Sequence, residues 1–174
     1  MKNKKNGYLL IETMVSVLIF SIALIGLVSL QVASYSSTQG SSFRSIATNF
    51  ANDMADKMRA NRQGVLAGSY IGIAGANNGC RNVNYNAVNS AVVNCTPAQM
   101  AQDDLEELTT EATMLPQGAA VVCLDSAMSQ GTPSAPNCDN AGSTYVIKIF
   151  WKDTRSKLIS TNSGYSQVIV GVQL

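Results

Sequence analysis

Between Thr13 and Phe43 the chain carries no Asp, Glu, Lys or Arg, and the first half of that run is dense in Leu, Ile, Val and Phe. The run is long enough to span a bilayer, which takes about 20 apolar residues. Fifteen side chains between Leu9 and Val32 are Leu, Ile, Val or Phe. Each contributes about −0.3 to −0.6 kcal/mol on an insertion scale, against about +3 kcal/mol for one mid-membrane carboxylate. Glu12 is that carboxylate, and it sits near the end of the segment, where the penalty is smaller, so insertion remains favoured. Lys2, Lys4 and Lys5 precede the segment with no acidic residue. The positive-inside rule therefore predicts a cytoplasmic N-terminus, with everything after about Ser34 outside. The expectation is a bitopic protein with an exported domain.

A secretory signal peptide carries its small-residue cleavage site after the apolar stretch. Here the small residue, Gly7, lies before it. The stretch Lys4-Lys5-Asn6-Gly7-Tyr8-Leu9-Leu10-Ile11-Glu12 resembles the class III signal of type IV prepilins, commonly G-F-T-L-I-E and here G-Y-L-L-I-E. Tyr8 and Leu9 depart from the commonest pattern. The resemblance implies that a prepilin peptidase cuts after Gly7 and N-methylates Tyr8, leaving the apolar helix attached to the product. It also implies that Glu12 meets the free α-amino group of a neighbouring subunit, an amine that cleavage creates at Tyr8. A carboxylate in hydrocarbon must find a partner or lose its charge. The competing reading has Glu12 snorkelling to the headgroups.

Past the membrane segment no Pro occurs before Pro97, and the apolar pattern turns one-sided. Phe43, Ile46, Phe50, Met54 and Met58 recur at spacings of three or four, with Arg44, Asp53, Asp56, Lys57 and Arg59 off the stripe. Such a stripe marks a helix resting on a core. Gln63-Gly64 offers a stop after Arg62, so one helix is expected over residues 8–62, with a membrane segment at about 8–33 and a leader at 1–7. Met54-Ala55-Asp56-Lys57-Met58-Arg59-Ala60-Asn61 is similar to the A-[DE]-[KR]-M-R-A-N run of PilV-type minor pilins. Major pilins of this family usually carry a Pro in the membrane half of the helix. This chain has Gly26 and no Pro there, which fits a subunit outside the filament shaft.

After Gly64 the composition shifts to Gly, Asn, Ser and Ala, and Arg81 is the only charged residue before Gln102. Asn77-Asn78-Gly79 and the Asn-rich run through Asn94 read as a surface excursion rich in turns. Four cysteines, Cys80, Cys95, Cys123 and Cys138, all fall in the part expected outside. An even count in an oxidising compartment points to disulfides. Three pairings are possible. Cys80–Cys95 and Cys123–Cys138 share a separation of 15 and each closes a segment rich in Gly, Asn and Ser, so these two are expected. Without His or a Cys-x-x-Cys pair, a zinc site is not expected.

Thr96-Pro97-Ala98-Gln99 predicts a helix start, with Thr as N-cap, Pro at the first position and Gln closing a capping box. Met100, Leu105, Leu108 and Ala112 give that helix a buried face, and Asp103, Asp104, Glu106, Glu107 and Glu111 are expected on its solvated side. Strands are expected at Ala119–Leu124, Thr144–Lys152 and Gln167–Gln173. In the middle one, Tyr145, Ile147, Ile149 and Trp151 alternate with Val146, Lys148, Phe150 and Lys152, and the first set is expected to face the long helix. Pro133 and Pro136 interrupt the first connection, and Thr154 to Gly164 forms the second. The fold class is α+β: a long helix packed on a small antiparallel sheet, with the exported domain at residues 63–174. That matches the pilin fold implied by the resemblance.

Removing the leader takes three of twelve Lys+Arg and leaves nine against eleven Asp+Glu, a side-chain balance of −2. No basic stripe supports nucleic-acid capture. No paired base or ligand-rich loop supports catalysis, a metal or another cofactor. The function expected is that of a minor pilin that joins other minor pilins and the major pilin in the inner membrane and primes or caps a type IV pilus. Its partners would be the prepilin peptidase and the pilus assembly machinery. Afterwards it would reside in the pilus, at or near the tip. The alternatives are a minor pseudopilin of type II secretion and a membrane-anchored periplasmic binding domain.

Overall fold

With no Pro to interrupt it, the N-terminal sequence forms one α-helix, α1, over Asn6–Ala60. The computed structural model describes residues 6–72, 75–80, 94–153 and 164–173. Most of the Asn-rich excursion (81–93) and of the second connection (154–163) lies outside the described residues, as does most of the leader. The chain divides into two units, Met1–Ser42 and Phe43–Leu174.

In the first unit every large apolar side chain from Leu10 to Val32 is at least 46% exposed. The interspersed hydroxyls are satisfied within the helix. Ser16 donates to Glu12 O at 2.7 Å, Ser21 to Val17 O at 2.7 Å and Ser29 to Ile25 O at 3.0 Å. Bonding to the preceding turn lets Ser sit in an apolar helix without an orphaned polar group. The helix is long and apolar enough to cross a membrane, with a mean hydropathy of 2.5 over its most apolar 18 residues.

In the second unit α1 is amphipathic. Met54 and Met58 are fully buried, while Phe43, Ile46 and Phe50 pack at the margin of the core. The centre of the stripe holds Ala47, Ala51 and Ala55, each at most 1% exposed. Their four-residue spacing places small side chains on one line down the helix face. Regular helix breaks at Asn61, which caps a short helix α2, Arg62–Leu66, by accepting from Gly64 N. Gly64 is therefore not the stop that its position suggests. A Cβ there would meet Pro97 O at 2.8 Å and Asn61 Nδ2 at 2.6 Å, so glycine allows a close approach to the next helix. The left-handed residue that ends α2 is Gly68, φ 71°. Ser69 N donates to Gly64 O and Gly68 N to Val65 O, the paired bonds of a Schellman stop.

Helix α3, Pro97–Ala112, opens with the expected capping box between Thr96 and Gln99. Strands β1 (Ala119–Leu124), β2 (Tyr145–Lys152) and β3 (Tyr165–Val172) form an antiparallel sheet in the order β1-β2-β3. Cys123 lies opposite Val146 in the register, and Gly171 lies opposite Val146 on the other side. One core joins Ala47–Met58 of α1, Leu105, Leu108 and Ala112 of α3, and the inner face of the sheet, with Ile147, Ile149 and Trp151 at its centre. This is the α+β architecture of type IV pilins, a long N-terminal helix on a small antiparallel sheet.

Candidate assembly site

Gly7 and Tyr8 lie at the N-terminal end of α1, and Glu12 follows residue 8 by four positions. At 1.5 Å per residue, the backbone nitrogen of residue 8 is roughly 6 Å from the level of Glu12 along the helix axis, about one turn. Glu12 is exposed, the only charge among Leu10–Phe43. Cleavage after Gly7 would therefore set a new ammonium and a carboxylate one turn apart at the edge of an otherwise apolar surface. The other candidate residues all belong to the second unit. The structure brings the packing stripe and the two disulfides into the same fold, and the processing residues lie apart from them in the chain.

Both disulfides join cysteines 15 apart. Cys80 bonds to Cys95 with 5.8 Å between Cα atoms, and Cys123 to Cys138 with 6.1 Å, distances ordinary for such bridges. The first ties residue 80 to the residue before the N-cap of α3. The second closes the connection from β1 to β2.

The acidic side of α3 departs from expectation. Asp103 and Asp104 are 4% and 2% exposed, not solvated. Asp103 accepts from Asn78 N at 2.5 Å and Cys80 N at 2.7 Å, so it holds the chain that leads into the first disulfide. Asp104 accepts from the Tyr70 hydroxyl at 2.5 Å, and Tyr70 in turn accepts from Asn61 Nδ2 at 3.1 Å. Asn61 also donates to Pro97 O at 2.7 Å. The end of the segment Met54–Asn61 is thereby fastened to the start of α3. Buried carboxylates need such donors, because an unpaired charge in the interior is strongly destabilising.

Glu107 and Glu111 lie with Asp53 of α1 in a cluster whose carboxylate oxygens fall within 4.8 Å of one another. Lys57 is paired with Asp53 and reaches Glu107 at 3.1 Å. A cation belonging to the chain thus already occupies that cluster. A cavity of about 470 Å³ beside it is lined by Glu106, Glu107, Glu111, Thr110 and the exposed Met114. A second cavity of about 510 Å³ lies between α2 and the sheet, against Leu66, Leu124, Ser143 and Tyr145. Tyr145 donates to Val65 O at 2.8 Å, and burial pushes its hydroxyl above the ordinary phenol value. In the first lining the Thr110 hydroxyl donates to Glu106 Oε1 at 3.4 Å.

The outer face of the sheet holds a group that the alternating pattern did not single out. Lys148 is fully buried, between Val146 and Phe150, which are buried as well. Its ammonium is 2.6 Å from Asp125 Oδ2. The Lys148 hydrogen bond, backed by the N–H groups of Ala127 and Ser129, holds the Asp125 carboxyl below its ordinary value against the opposing effect of burial. A lysine flanked on its own face only by apolar residues was the signal available in the sequence.

The family model for the type IV pilin Tt1218 and its like matches residues 29–106, from the apolar part of α1 into α3. No curated protein and no solved structure gives a significant match. The region similar to that family contains the core stripe of α1, the Asn61 junction and the first disulfide. Together with the α+β architecture, the match supports a type IV pilin.

Proposed function

We propose that this chain is a minor pilin of the PilV type that joins other minor pilins and the major pilin in the inner membrane and primes or caps a type IV pilus. A prepilin peptidase cuts after Gly7 and methylates Tyr8. Residues of about 8–33 hold the product in the membrane, with the domain on the periplasmic side, until it enters the filament near the tip. The observation that carries this reading is the apolar first unit, whose large side chains from Leu10 to Val32 are all exposed among the described residues. A helix exposed and hydrophobic all round requires lipid or other helices as its surroundings. A filament subunit meets the first before assembly and the second after it. Support for a minor rather than a shaft role comes from the segment Met54–Asn61 and from the absence of Pro in the membrane half of α1.

The test is quantitative mass spectrometry of sheared pili from cells with and without the gene. The chain is expected to begin at methylated Tyr8 and to be present at a small fraction of the major pilin. Its loss is expected to cut pilus number sharply while leaving filament diameter unchanged. Abundance near that of the major pilin would overturn the minor role. Absence from pili, with normal piliation after deletion and a loss of protein secretion, would assign the chain to a type II pseudopilus.

A further inference from the structure

The connection from β1 to β2 is built around one buried cation. The Lys148 ammonium lies 2.6 Å from Asp125 Oδ2, 2.9 Å from Ser129 O, 2.8 Å from Pro136 O and 3.1 Å from Asn137 O. Its three protons are shared among four acceptors, so its hydrogen-bonding capacity is filled. The positions of those acceptors matter more than their number. Asp125 stands two residues after Cys123, and Pro136 and Asn137 immediately precede Cys138. Cys123 itself pairs with Val146, two residues from Lys148 along β2. A single side chain on a regular strand thus grips both ends of the loop that the disulfide closes.

A second tie joins the same ends. Asp139, next to Cys138, accepts from Ser126 N at 3.1 Å and from the Ser126 hydroxyl at 2.5 Å. The interior of the loop is held too. Asn137 Nδ2 donates to Gln130 O, and Gly131 N donates to Gln167 of β3.

We propose that Lys148 is the positioning residue for the Cys123–Cys138 bond, gathering the two thiols in the reduced chain and keeping the loop in place when the bond is open. The oxidation itself needs a disulfide oxidant. One cysteine thiolate attacks it and forms a mixed disulfide, and the second thiolate then displaces the oxidant's remaining thiol. Two electrons and two protons pass from the cysteines to yield two reduced thiols of the oxidant. Lys148 takes no part in that exchange and acts only by raising the effective concentration of one thiol at the other. Linkage makes the coupling reciprocal: the bond strengthens the Lys148 contacts by the factor with which those contacts favour the bond. Cys80–Cys95 supplies an internal reference, because its anchor is Asp103 of α3, bonded to Cys80 N, and not Lys148.

The proposal stands independently of any role in a pilus. Its test uses the full-length protein in detergent micelles, equilibrated across ratios of reduced to oxidised glutathione, alkylated and peptide-mapped. In Lys148→Met the effective concentration for Cys123–Cys138 is expected to fall about 5- to 150-fold, the usual span of coupling between two sites, with that for Cys80–Cys95 unchanged. Because Lys148→Met also leaves Asp125 buried without its cation, the double variant Lys148→Met with Asp125→Asn is measured alongside. The buried Trp151, the only Trp in the chain, reports that the sheet is folded. The double variant is expected to show the same selective fall. An unchanged Cys123–Cys138 equilibrium would overturn the proposal. So would an equal fall at both bonds, which would reflect general loss of the fold.

Discussion

Residues 10–33 and 47–58 belong to one helix and are both rich in apolar side chains, yet they stand in opposite environments. From Leu10 to Val32 every large apolar side chain is at least 46% exposed, whereas Ala47, Ala51, Met54, Ala55 and Met58 are at most 1% exposed. Helix propensity does not separate the two. What separates them is whether the apolar residues surround the helix or line one side of it. A one-sided stripe is satisfied by the chain's own sheet and α3. An all-round surface needs a solvent of its own kind, and the length of the segment matches a bilayer. The same element therefore supplies domain core in one part and, in the other, an apolar surface long enough to cross a membrane, and the change of pattern near Phe43 marks the exchange.

Truncating one buried and one exposed side chain, one in each segment, has the largest expected effect. Met58→Ala removes a fully buried side chain and is expected to destabilise the second unit by about 2–5 kcal/mol. Leu24→Ala removes a larger exposed area and is expected to leave unfolding of that unit unchanged. Urea titration of the full chain in detergent, read by Trp151 fluorescence, checks both. Equal losses would show that the first unit is folded into the same cooperative core, against the division into two units.

Patterns set by neighbours in sequence were legible, and pairings set across the fold were not. The alternation Tyr145-Ile147-Ile149-Trp151, the Thr96/Gln99 capping box and the separation of the cysteines in each pair are local facts, and the structure carries each of them. The burial of Asp103 and Asp104 depends on Tyr70, Asn78 and Cys80, which lie 23 to 34 residues away. Nothing in the run Asp103-Asp104-Leu105-Glu106-Glu107 distinguishes the two buried carboxylates from the two glutamates. The alanines at the centre of the α1 stripe were missed for another reason. Phe43, Ile46 and Phe50 attract notice by size, but close packing favours the small residue on the line of contact. The outer sheet face was half legible: Lys148 between Val146 and Phe150 signals a buried charge, while its acceptors come from an irregular loop that no periodicity describes.

A smaller effect comes from acidification, which sharpens the contrast from the domain side. Asp125 is held below its ordinary value first by the Lys148 hydrogen bond, and Asp139 first by the Ser126 hydroxyl and then by Ala141 N–H. A carboxyl depressed in the folded state takes up protons more readily once unfolded. Its contribution is therefore complete above the unfolded value, about 4 for Asp, and is lost as pH falls through the lower folded value. Stability of the second unit is expected to be insensitive to these two groups at neutral pH and to drop below about pH 4. Asp125→Asn should flatten that acid limb while lowering stability at pH 7. An acid limb of unchanged slope would remove Asp125 as its source.

The smallest effect on folding, and the most direct probe of the first unit's surface, is Glu12→Ala. The substitution removes a carboxylate from an apolar segment, so membrane insertion should be maintained or improved. Trp151 unfolding should not change, because Glu12 is exposed and belongs to the other unit. Under the proposed function, Glu12 pairs with the new α-amino group of a neighbouring subunit. Close charge pairs across an interface couple by about 1.5 kcal/mol or more, which is at least about tenfold in association. Co-purification with partner pilins should therefore drop by that order at equal membrane abundance. Unchanged co-purification would leave Glu12 a snorkelling side chain and the apolar surface alone as the assembly determinant. A loss accompanied by altered Trp151 unfolding would mean that the two units are not separable in the way the burial pattern of α1 requires.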